Sequence, residues 1–317
     1  MHYRVLGRTG IRVSEIGLGA WVIGTDMYGA HDRERDIALI RTALDLGINT
    51  FDTADMYGEG LSEKILGEAL RGYDVNVFTK VGYEVGKVVD GHHVQNFSIN
   101  YIVHAVRESY NRLSRRITLL QLHNPPINVI MDRELHRALL KLVEEGYVEH
   151  IGVALGPETN ILNEGLAAID EGYEAIMFVF NILEQEPGRT LIRRGLENSV
   201  GLITRVPHAS NVLTERQEVN FGPSDHRNLR SRDWVMKALE FTNTRIRPMA
   251  KSLGMDLETL AIKYVLSYPV GTVMVTATSP EELTKYANAA DGNYLSNDTV
   301  KTLENLYEEF TKFINND

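Results

Sequence analysis

The sequence predicts an α/β fold in which eight parallel strands close into a (β/α)8 barrel. Eight apolar strand candidates alternate with amphipathic helical stretches along the 317 residues, which suits a single domain spanning residues 1–317. No G-x-G-x-x-G follows the first strand, because GLGAWVIG (17–24) has a different spacing. Polar residues end several strands, at the edge where barrels place their chemistry. An open doubly wound sheet is the alternative, and the last two observations favour the barrel.

The strand candidates are short apolar runs, which are typical of parallel strands buried on both faces. The first residues, MHYRVLGRTGIRVSEIGLGAW, are predicted to form two short strands around a glycine turn. The eight candidates are Ile16–Ala20, Asn49–Thr53, Val75–Val81, Leu119–His123, Ile151–Leu155, Ile176–Asn181, Gly201–Val206 and Thr272–Ala277.

The helices are predicted from apolar residues at helical spacing, with capping residues at the start and glycine at the end. They cover 32–47, 62–72, 98–113, 133–146, 158–172 and a stretch in the 280s. A terminal helix over 296–315 carries Leu303, Leu306, Phe310 and Phe313 on one side. The polar segment 207–231 interrupts this rhythm and is either a lid or binding loop, or an ordinary surface excursion.

Composition excludes several classes of protein. The chain has 43 acidic and 33 basic residues, a net charge of −10, which argues against nucleic-acid binding. The absence of cysteine excludes disulfides, thiolate metal sites and a cysteine nucleophile. His92 and His93 lack a third ligand at metal-site spacing, so no metal is expected and the pair is assigned to a polar loop at the barrel rim. Without a signal sequence or a long apolar stretch, the chain is expected to be cytoplasmic and free of membrane contacts.

Four polar residues at or after strand ends carry the candidate chemistry: Asp52, Tyr57, Lys80 and His123. Taken singly, the aspartate is a helix cap, the tyrosine a core residue and the histidine a buried core residue. Lys80 is less easily explained, because an ammonium within an apolar strand is costly unless it is paired. Asp52 is its natural partner.

Taken together, the four residues suit proton transfer at a carbonyl. A phenol with a pKa near 10 is a weak acid, and a neighbouring ammonium lowers that pKa. Tyr57 would then give a proton to a carbonyl oxygen or take one from an alcohol, while His123 hydrogen-bonds the same oxygen. This site suits a carbonyl that receives a hydride. Because the protein has no redox group of its own, a nicotinamide cofactor would supply it.

The sequence resembles the aldo-keto reductase superfamily over nearly its whole length. The resemblance rests on RVLGRTGIRVSEIGLGAW, GINTFDTADMYGEGLSEKILGEAL, FTKV and LQLHNP, which occur in family order and spacing. It implies a TIM barrel closed at its bottom by the N-terminal hairpin. It also implies that Asp52, Tyr57, Lys80 and His123 are the catalytic tetrad, with Tyr57 as general acid, and that Trp21 lines the substrate pocket with Tyr57 and His123.

The resemblance also implies the positions that contact the cofactor. LITRVPHASN (202–211) is similar to a branch with an Arg-x-Pro motif after the seventh strand, where Arg205 would stack on the nicotinamide in place of an aromatic residue. Ser279 is predicted to cap the last barrel helix and to present free amides to a phosphate. The implied cofactor-binding residues are Gly19, Ala20, Asn181, Arg205, Thr276, Thr278, Ser279, Glu282 and Lys285.

The chain departs from the family mainly at cofactor positions. Ala154 and Leu155 replace the Ser and Asn that bind the carboxamide in the family. The family also usually has a Gln in or just after the sixth strand, and this chain has Met177 in that region instead. Thr278 and Glu282 stand where relatives that select a 2′-phosphate carry a cation. The family habit favours NADP(H), and the missing cation leaves NAD(H) as the alternative.

The sequence therefore predicts a cytoplasmic NAD(P)H-dependent oxidoreductase. Its partner would be a small-molecule carbonyl or the matching alcohol, for example a sugar or polyol. The alternative is a weakly catalytic relative that serves as a nucleotide-binding sensor or as the subunit of a protein partner. Neither the physiological substrate nor the oligomeric state follows from the sequence.

Overall fold

Eight parallel strands close into a barrel in the computed structural model, which describes residues 1–26, 31–156, 161–217 and 230–315. Neighbouring strands follow chain order around the barrel, and the last pairs with the first. The predicted barrel is therefore confirmed, and each predicted strand lies within a few residues of an observed one. The barrel strands are β3 (Ile16–Gly19), β4 (Thr50–Asp52), β5 (Asn76–Val81), β8 (Ile117–His123), β9 (Val148–Ala154), β10 (Ala175–Val179), β11 (Gly201–Arg205) and β12 (Thr272–Val275).

An antiparallel hairpin of β1 (Tyr3–Val5) and β2 (Arg12–Ser14) closes the bottom of the barrel, as the family resemblance implied. Leu6, which follows β1, is fully buried and contacts the start of β11. A Cβ added to Gly201, the first residue of β11, would lie only 2.7 Å from Leu6 Cγ. The hairpin is also held by Arg4, which donates to the carbonyls of Leu266, Tyr268 and Val270.

A second hairpin, β6 (Tyr83–Val89) and β7 (His92–Gln95), rises from the rim after β5. The assignment of His92 and His93 to a polar loop was wrong, since both residues lie in β7. Both strands are largely exposed, so they were not predicted from an apolar run, as the buried barrel strands were. The available signal was the turn Asp90-Gly91, whose φ angles of +50° and +79° match the Asp-Gly preference of tight hairpins.

The helices surround the barrel and bury their apolar faces against its outer wall. Asp32, Asp132 and Ser279 accept hydrogen bonds from the first turns of their helices, as N-caps do. The helices are α1 (Arg33–Asp45), α2 (Leu61–Ala69), α3 (Ile99–Leu113), α4 (Ile127–Ile130), α5 (Arg133–Glu144), α6 (Leu162–Asp170), α7 (Gly188–Glu197), α8 (Arg232–Phe241), α9 (Arg247–Ser252), α10 (Leu257–Leu266), α11 (Pro280–Asn288) and α12 (Asn297–Asn315).

Helices α7 to α10 were not predicted. Every residue of α10 except the half-buried Thr259 is buried, so this helix has no exposed polar face and lacks the periodicity by which a surface helix is recognised. In α12, Leu303, Leu306 and Phe310 are buried as expected, whereas Phe313 is 37% exposed. The start of predicted helix 158–172 and most of segment 207–231 fall on 157–160 and 218–229, outside the described residues.

Among the described residues, side chains fill the barrel interior from the bottom upwards, and the upper end is left open. The filling side chains meet in one cluster, so that substrate and solvent can reach the interior only from the carboxyl ends of the strands. This cluster consists of Leu6, Val13, Phe78, Leu119, Ala154, Ala175, Met177, Ile203 and Met274.

Candidate active site

Three neighbouring strands bring the predicted tetrad together at the upper end of the barrel. Asp52 ends β4, Lys80 lies near the end of β5 and His123 ends β8. Because β4 pairs with β5 and β5 with β8 in parallel register, the three side chains share one edge. Tyr57 reaches the same place from the loop after β4. That loop turns tightly at Gly58 (φ +54°), where an added Cβ would lie 1.9 Å from the Gly24 carbonyl oxygen.

Lys80 is the centre of the hydrogen-bond network. Its Nζ lies 2.6 Å from Asp52 Oδ2, 2.8 Å from the Thr53 carbonyl oxygen and 3.3 Å from the Tyr57 hydroxyl. Gln121 Nε2 donates to the other carboxylate oxygen of Asp52 at 3.0 Å. Each of these side chains is at least nine-tenths buried, so the ammonium is held by its partners rather than by water.

Burial dominates the acidity of the tyrosine. It raises the pKa of Tyr57, and the ammonium of Lys80 opposes that shift without reversing it. The effect of Lys80 has the sign that the sequence predicted, but the expected net lowering of the pKa was wrong, because desolvation of the phenolate is the larger effect. At neutral pH Tyr57 therefore carries its proton.

Lys80 and His123 are held in different charge states, the lysine protonated and the histidine neutral. Burial by itself lowers the pKa of Lys80, but Asp52 and Tyr57 outweigh it, so the pKa lies above its ordinary value. For His123, burial and the charges of Lys80 and Arg205 all act in one direction and hold the pKa well below its ordinary value. The site thus combines an ammonium with a neutral imidazole.

Aromatic rings form the wall beside the tetrad. The ring centroids of Trp21 and Tyr57 lie 4.7 Å apart, and those of Tyr83 and His123 lie 5.0 Å apart. His123 Nδ1 is buried and has no hydrogen-bond partner among the described residues. The ring is thus positioned by packing. Tyr83, from β6, was missed because the second hairpin was not predicted.

A cleft of about 1270 Å³ runs from the tetrad to the start of α11. This exceeds the roughly 300–1,000 Å³ of pockets for drug-sized ligands, so the cleft has room for a large cofactor and a small substrate. An added Cβ on Gly19 would lie 3.2 Å from the Val275 carbonyl oxygen, so the first barrel loop is closely packed there. Besides the tetrad, the predicted residues that line the cleft are Gly19, Ala20, Trp21, Arg205, Thr276, Thr278, Ser279, Glu282 and Lys285.

Asn181 is the predicted cofactor residue that the structure places elsewhere. It is fully buried, and its amide nitrogen donates to Glu184 Oε2 at 2.9 Å and to the Val206 carbonyl oxygen at 3.0 Å. Its amide oxygen accepts from the Leu183 amide. These protein partners use both ends of the amide. Asn181 therefore holds the loops after β10 and β11 together and does not line the cleft, contrary to the prediction.

Arg205 lines the cleft and is tied to the barrel. Its Nη2 donates to the carbonyl oxygens of Leu155 and Gly156 at 3.1 and 2.9 Å. The guanidinium is thus fixed at the position after β9, where Ala154 and Leu155 lack the polar side chains usual in relatives. Burial lowers the pKa of Arg205, and Tyr57 and Asp52 oppose that shift.

The segment after β11 contributes to the cleft wall. The described residues of 207–231 that line it include Pro207, His208, Asn211, Arg216 and Arg230, which favours the binding-loop interpretation. His208 was not predicted to be a site residue. It could have been noticed as the polar residue directly after the Arg-x-Pro motif.

Neither a membrane span nor a metal centre is found in the described part of the chain. Over 1–26, 31–156, 161–217 and 230–315, no helix is long and apolar enough to cross a membrane. Nor do three metal-binding side chains come together anywhere in these ranges.

A (β/α)8 barrel with a buried Asp–Lys–Tyr network and a neutral histidine at its open end is consistent with an oxidoreductase. The family model described as the Aldo/keto reductase family matches residues 15–308. The chain therefore belongs to the aldo/keto reductase family.

Individual relatives agree with this assignment. A putative aryl-alcohol dehydrogenase of Saccharomyces cerevisiae is 27% identical, with 96% of each chain covered. A probable voltage-gated potassium channel subunit beta of Oryza sativa is 29% identical, with 92% of each covered. The holo form of an aldo-keto reductase from Bacillus halodurans superposes with a TM-score of 0.77 at 28% identity, covering 96% of both chains.

Proposed function

We propose that the protein catalyses nicotinamide-dependent reduction of an aldehyde or ketone, or oxidation of the matching alcohol. The observation that carries the proposal is the position of Lys80 Nζ, 2.6 Å from Asp52 and 3.3 Å from the Tyr57 hydroxyl, at the mouth of a large cleft. This arrangement stabilises a developing phenolate beside a ligand. A cytoplasmic location remains part of the proposal.

The cleft has the donor set for a nicotinamide dinucleotide, which supplies the hydride when it is bound. The close-packed loop of Gly19 and Ala20 and the fixed guanidinium of Arg205 would hold the nicotinamide end. The hydroxyls of Thr276, Thr278 and Ser279, together with Glu282 and Lys285, would hold the adenosine end near the start of α11.

Each tetrad residue has a separate task. Tyr57 donates its proton to the carbonyl oxygen during reduction and takes it back during oxidation. Lys80 stabilises the resulting phenolate, and Asp52 keeps Lys80 charged. His123, being neutral, orients the carbonyl by a hydrogen bond without competing as an acid. Trp21 forms the wall against which the substrate packs.

The substitution Tyr57→Phe tests this assignment. It keeps the ring that packs on Trp21 and removes only the hydroxyl, so we expect turnover to fall by about 10²–10⁴-fold with little change in the Kd for the cofactor. Steady-state kinetics on a panel of aldehydes, with NADH and NADPH as alternative reductants, measures this. Tyr110→Phe makes the same chemical change in α3, outside the cleft, and we expect it to leave turnover unchanged. Full activity in Tyr57→Phe would rule out Tyr57 as the proton donor.

A second candidate function is that of a nucleotide-binding subunit of a protein partner. It is favoured by the relative named as a potassium channel subunit beta. Titration with NADH and NADPH, followed by quenching of Trp21 and Trp234 fluorescence, bears on both candidates. Micromolar binding with turnover supports the enzyme, whereas binding without turnover of any carbonyl tested would favour the subunit.

A further inference from the structure

The start of α11, at the end of the cleft away from the tetrad, is crowded with carboxylates. Glu215, Glu258, Glu281 and Glu282 line this region. Asp256 adds a fifth acidic group through its contact with Lys285. The cations described there are Arg216 and Lys285, which line the cleft, and Arg247, whose guanidinium pairs with Glu215. Counting five acids against three bases, the formal charge of this group is −2.

Glu282 takes the hydrogen-bond donors that a phosphate would use at the helix terminus. Its Oε2 accepts from the backbone amide of Thr278 at 2.6 Å and from the Thr278 hydroxyl at 3.0 Å. Its Oε1 accepts from the Tyr286 hydroxyl at 2.9 Å. A carboxylate held by three donors is fixed in place and remains able to accept further hydrogen bonds, because each of its oxygens has two lone pairs.

Lys285, the nearest helical cation, is already paired. Its Nζ lies 3.0 Å from Glu258 Oε2 and 3.3 Å from Asp256 Oδ2. Its charge is therefore offset locally by two carboxylates. Arg216 is exposed and lines the cleft, where it would pair with the pyrophosphate that both forms of the dinucleotide share.

His208 supplies an independent sign that a ligand belongs here. It lines the cleft and is 8% exposed, and its Nε2 has no hydrogen-bond partner among the described residues. Its ring lies 4.4 Å from that of Tyr286, which binds Glu282. A buried imidazole nitrogen without a partner is costly, and a hydroxyl or ring nitrogen of an adenosine would satisfy it.

We propose that Glu282 makes this protein select NAD(H) over NADP(H) by binding the ribose 2′-hydroxyl. This inference rests on the proposed function and opposes the NADP(H) preference that the family resemblance implies. A hydroxyl donates a charge-assisted hydrogen bond to a carboxylate, as the acidic residue of other dinucleotide sites does. A 2′-phosphate, with about −1.5 to −2 charges, is mostly deprotonated at neutral pH and is repelled by Glu282 and its acidic neighbours.

Cofactor titration of the wild type and of Glu282→Gln tests the proposal without relying on turnover. We expect the wild type to bind NADH at least about tenfold more tightly than NADPH at low salt, with a smaller ratio at high salt because the repulsion is screened. Glu282→Gln keeps the shape and removes the charge. We expect it to tighten NADPH binding by about tenfold and to weaken NADH binding slightly.

Glu281→Gln is the matched control. It removes the same charge from the same helix turn, but its carboxylate is not the one bound by Thr278 and Tyr286. We expect it to change the NADPH affinity by less than about threefold. Thermal unfolding checks that both variants remain folded.

Three outcomes would count against the proposal in different ways. Tighter binding of NADPH than of NADH by the wild type would overturn the inference and leave the proposed function standing. An unchanged NADPH affinity in folded Glu282→Gln would overturn the role of Glu282. Binding of neither cofactor would overturn the proposed function and the inference together.

Discussion

At the scale of single residues, Gln121 extends the Asp52–Lys80–Tyr57 network, which is proposed to be catalytic, by one hydrogen bond. It is fully buried in β8, and its Nε2 donates to the Asp52 oxygen that Lys80 does not use. This bond lowers the pKa of Asp52 against the larger effect of burial, which raises it. Gln121 therefore acts as a positioning residue, because it helps Asp52 remain ionised and so keeps Lys80 charged.

Replacing Gln121 by Leu removes that bond with little change in volume. We expect kcat to fall by about tenfold with a smaller change in KM, because a hydrogen bond to a charged group contributes roughly 1.5–3 kcal/mol. The pKa of Asp52 would rise further, so the loss of activity on acidification would begin at a higher pH. The pH profile of kcat measures this. Thr204→Val, which removes a hydrogen bond between β11 and β12, should leave the profile in place.

At the scale of elements, the N-terminal hairpin and the βα loops have separate tasks. The hairpin plugs the bottom of the barrel through Leu6, on the side opposite to the tetrad. The segments after β4, β11 and β12 carry Tyr57, His208 and Glu282 around the cleft at the top, the last of these in the first turn of α11. Stability and chemistry are therefore assigned to opposite ends of the same strands.

The substitution Leu6→Ala tests that division. It opens a cavity in the barrel interior, so we expect the free energy of unfolding to fall by about 2–5 kcal/mol, while the Kd for the cofactor stays the same. Denaturant unfolding and cofactor titration measure the two quantities. Val5→Ala, at a neighbouring position that is 63% exposed, should cost less than about 0.5 kcal/mol. A large change in cofactor affinity in Leu6→Ala would contradict the separation of tasks.

At the scale of the whole molecule, buried neutral histidines link stability to pH. Burial lowers the pKa of His208 to about 4 and holds that of His123 well below its ordinary value. Both groups accept protons more readily in the unfolded chain, where the pKa is about 6.5. Their contribution to stability is therefore complete above that pH and is lost as the pH falls from about 6.5 towards the folded pKa.

For His208 alone the loss between pH 7.5 and pH 5 is about 2 kcal/mol. We expect His208→Phe, which keeps a ring against Tyr286, to show a correspondingly shallower fall in unfolding free energy over that range. Denaturant unfolding at several pH values measures the slope. His104→Phe, at an exposed position on α3, should follow the wild-type slope. Identical slopes in His208→Phe and the wild type would show that His208 does not titrate as its burial requires.

The sequence by itself determined the barrel and the members of the tetrad. Short apolar runs alternate with capped helices along the chain. This pattern is local in the sequence, so it can be recognised without knowing which distant segments are in contact. Asp52, Lys80 and His123 could be assigned to one edge because the carboxyl ends of parallel strands meet there. Helix α10, buried except at Thr259, and the exposed strands of the second hairpin were not predicted, because neither shows one apolar and one polar face.

Only the tertiary structure decided which partners and which pKa shifts the side chains in and around the cleft have. Asn181 stands at a family cofactor position, yet contacts with Glu184 and Val206 use its amide. Lys285 was among the predicted cofactor-binding residues, but Asp256 and Glu258, at the start of α10, offset its charge. The raised pKa of Tyr57 likewise follows from burial, which outweighs the opposing effect of Lys80. Hydrogen-bond partners and desolvation depend on which distant segments pack together, and a local residue pattern does not record that.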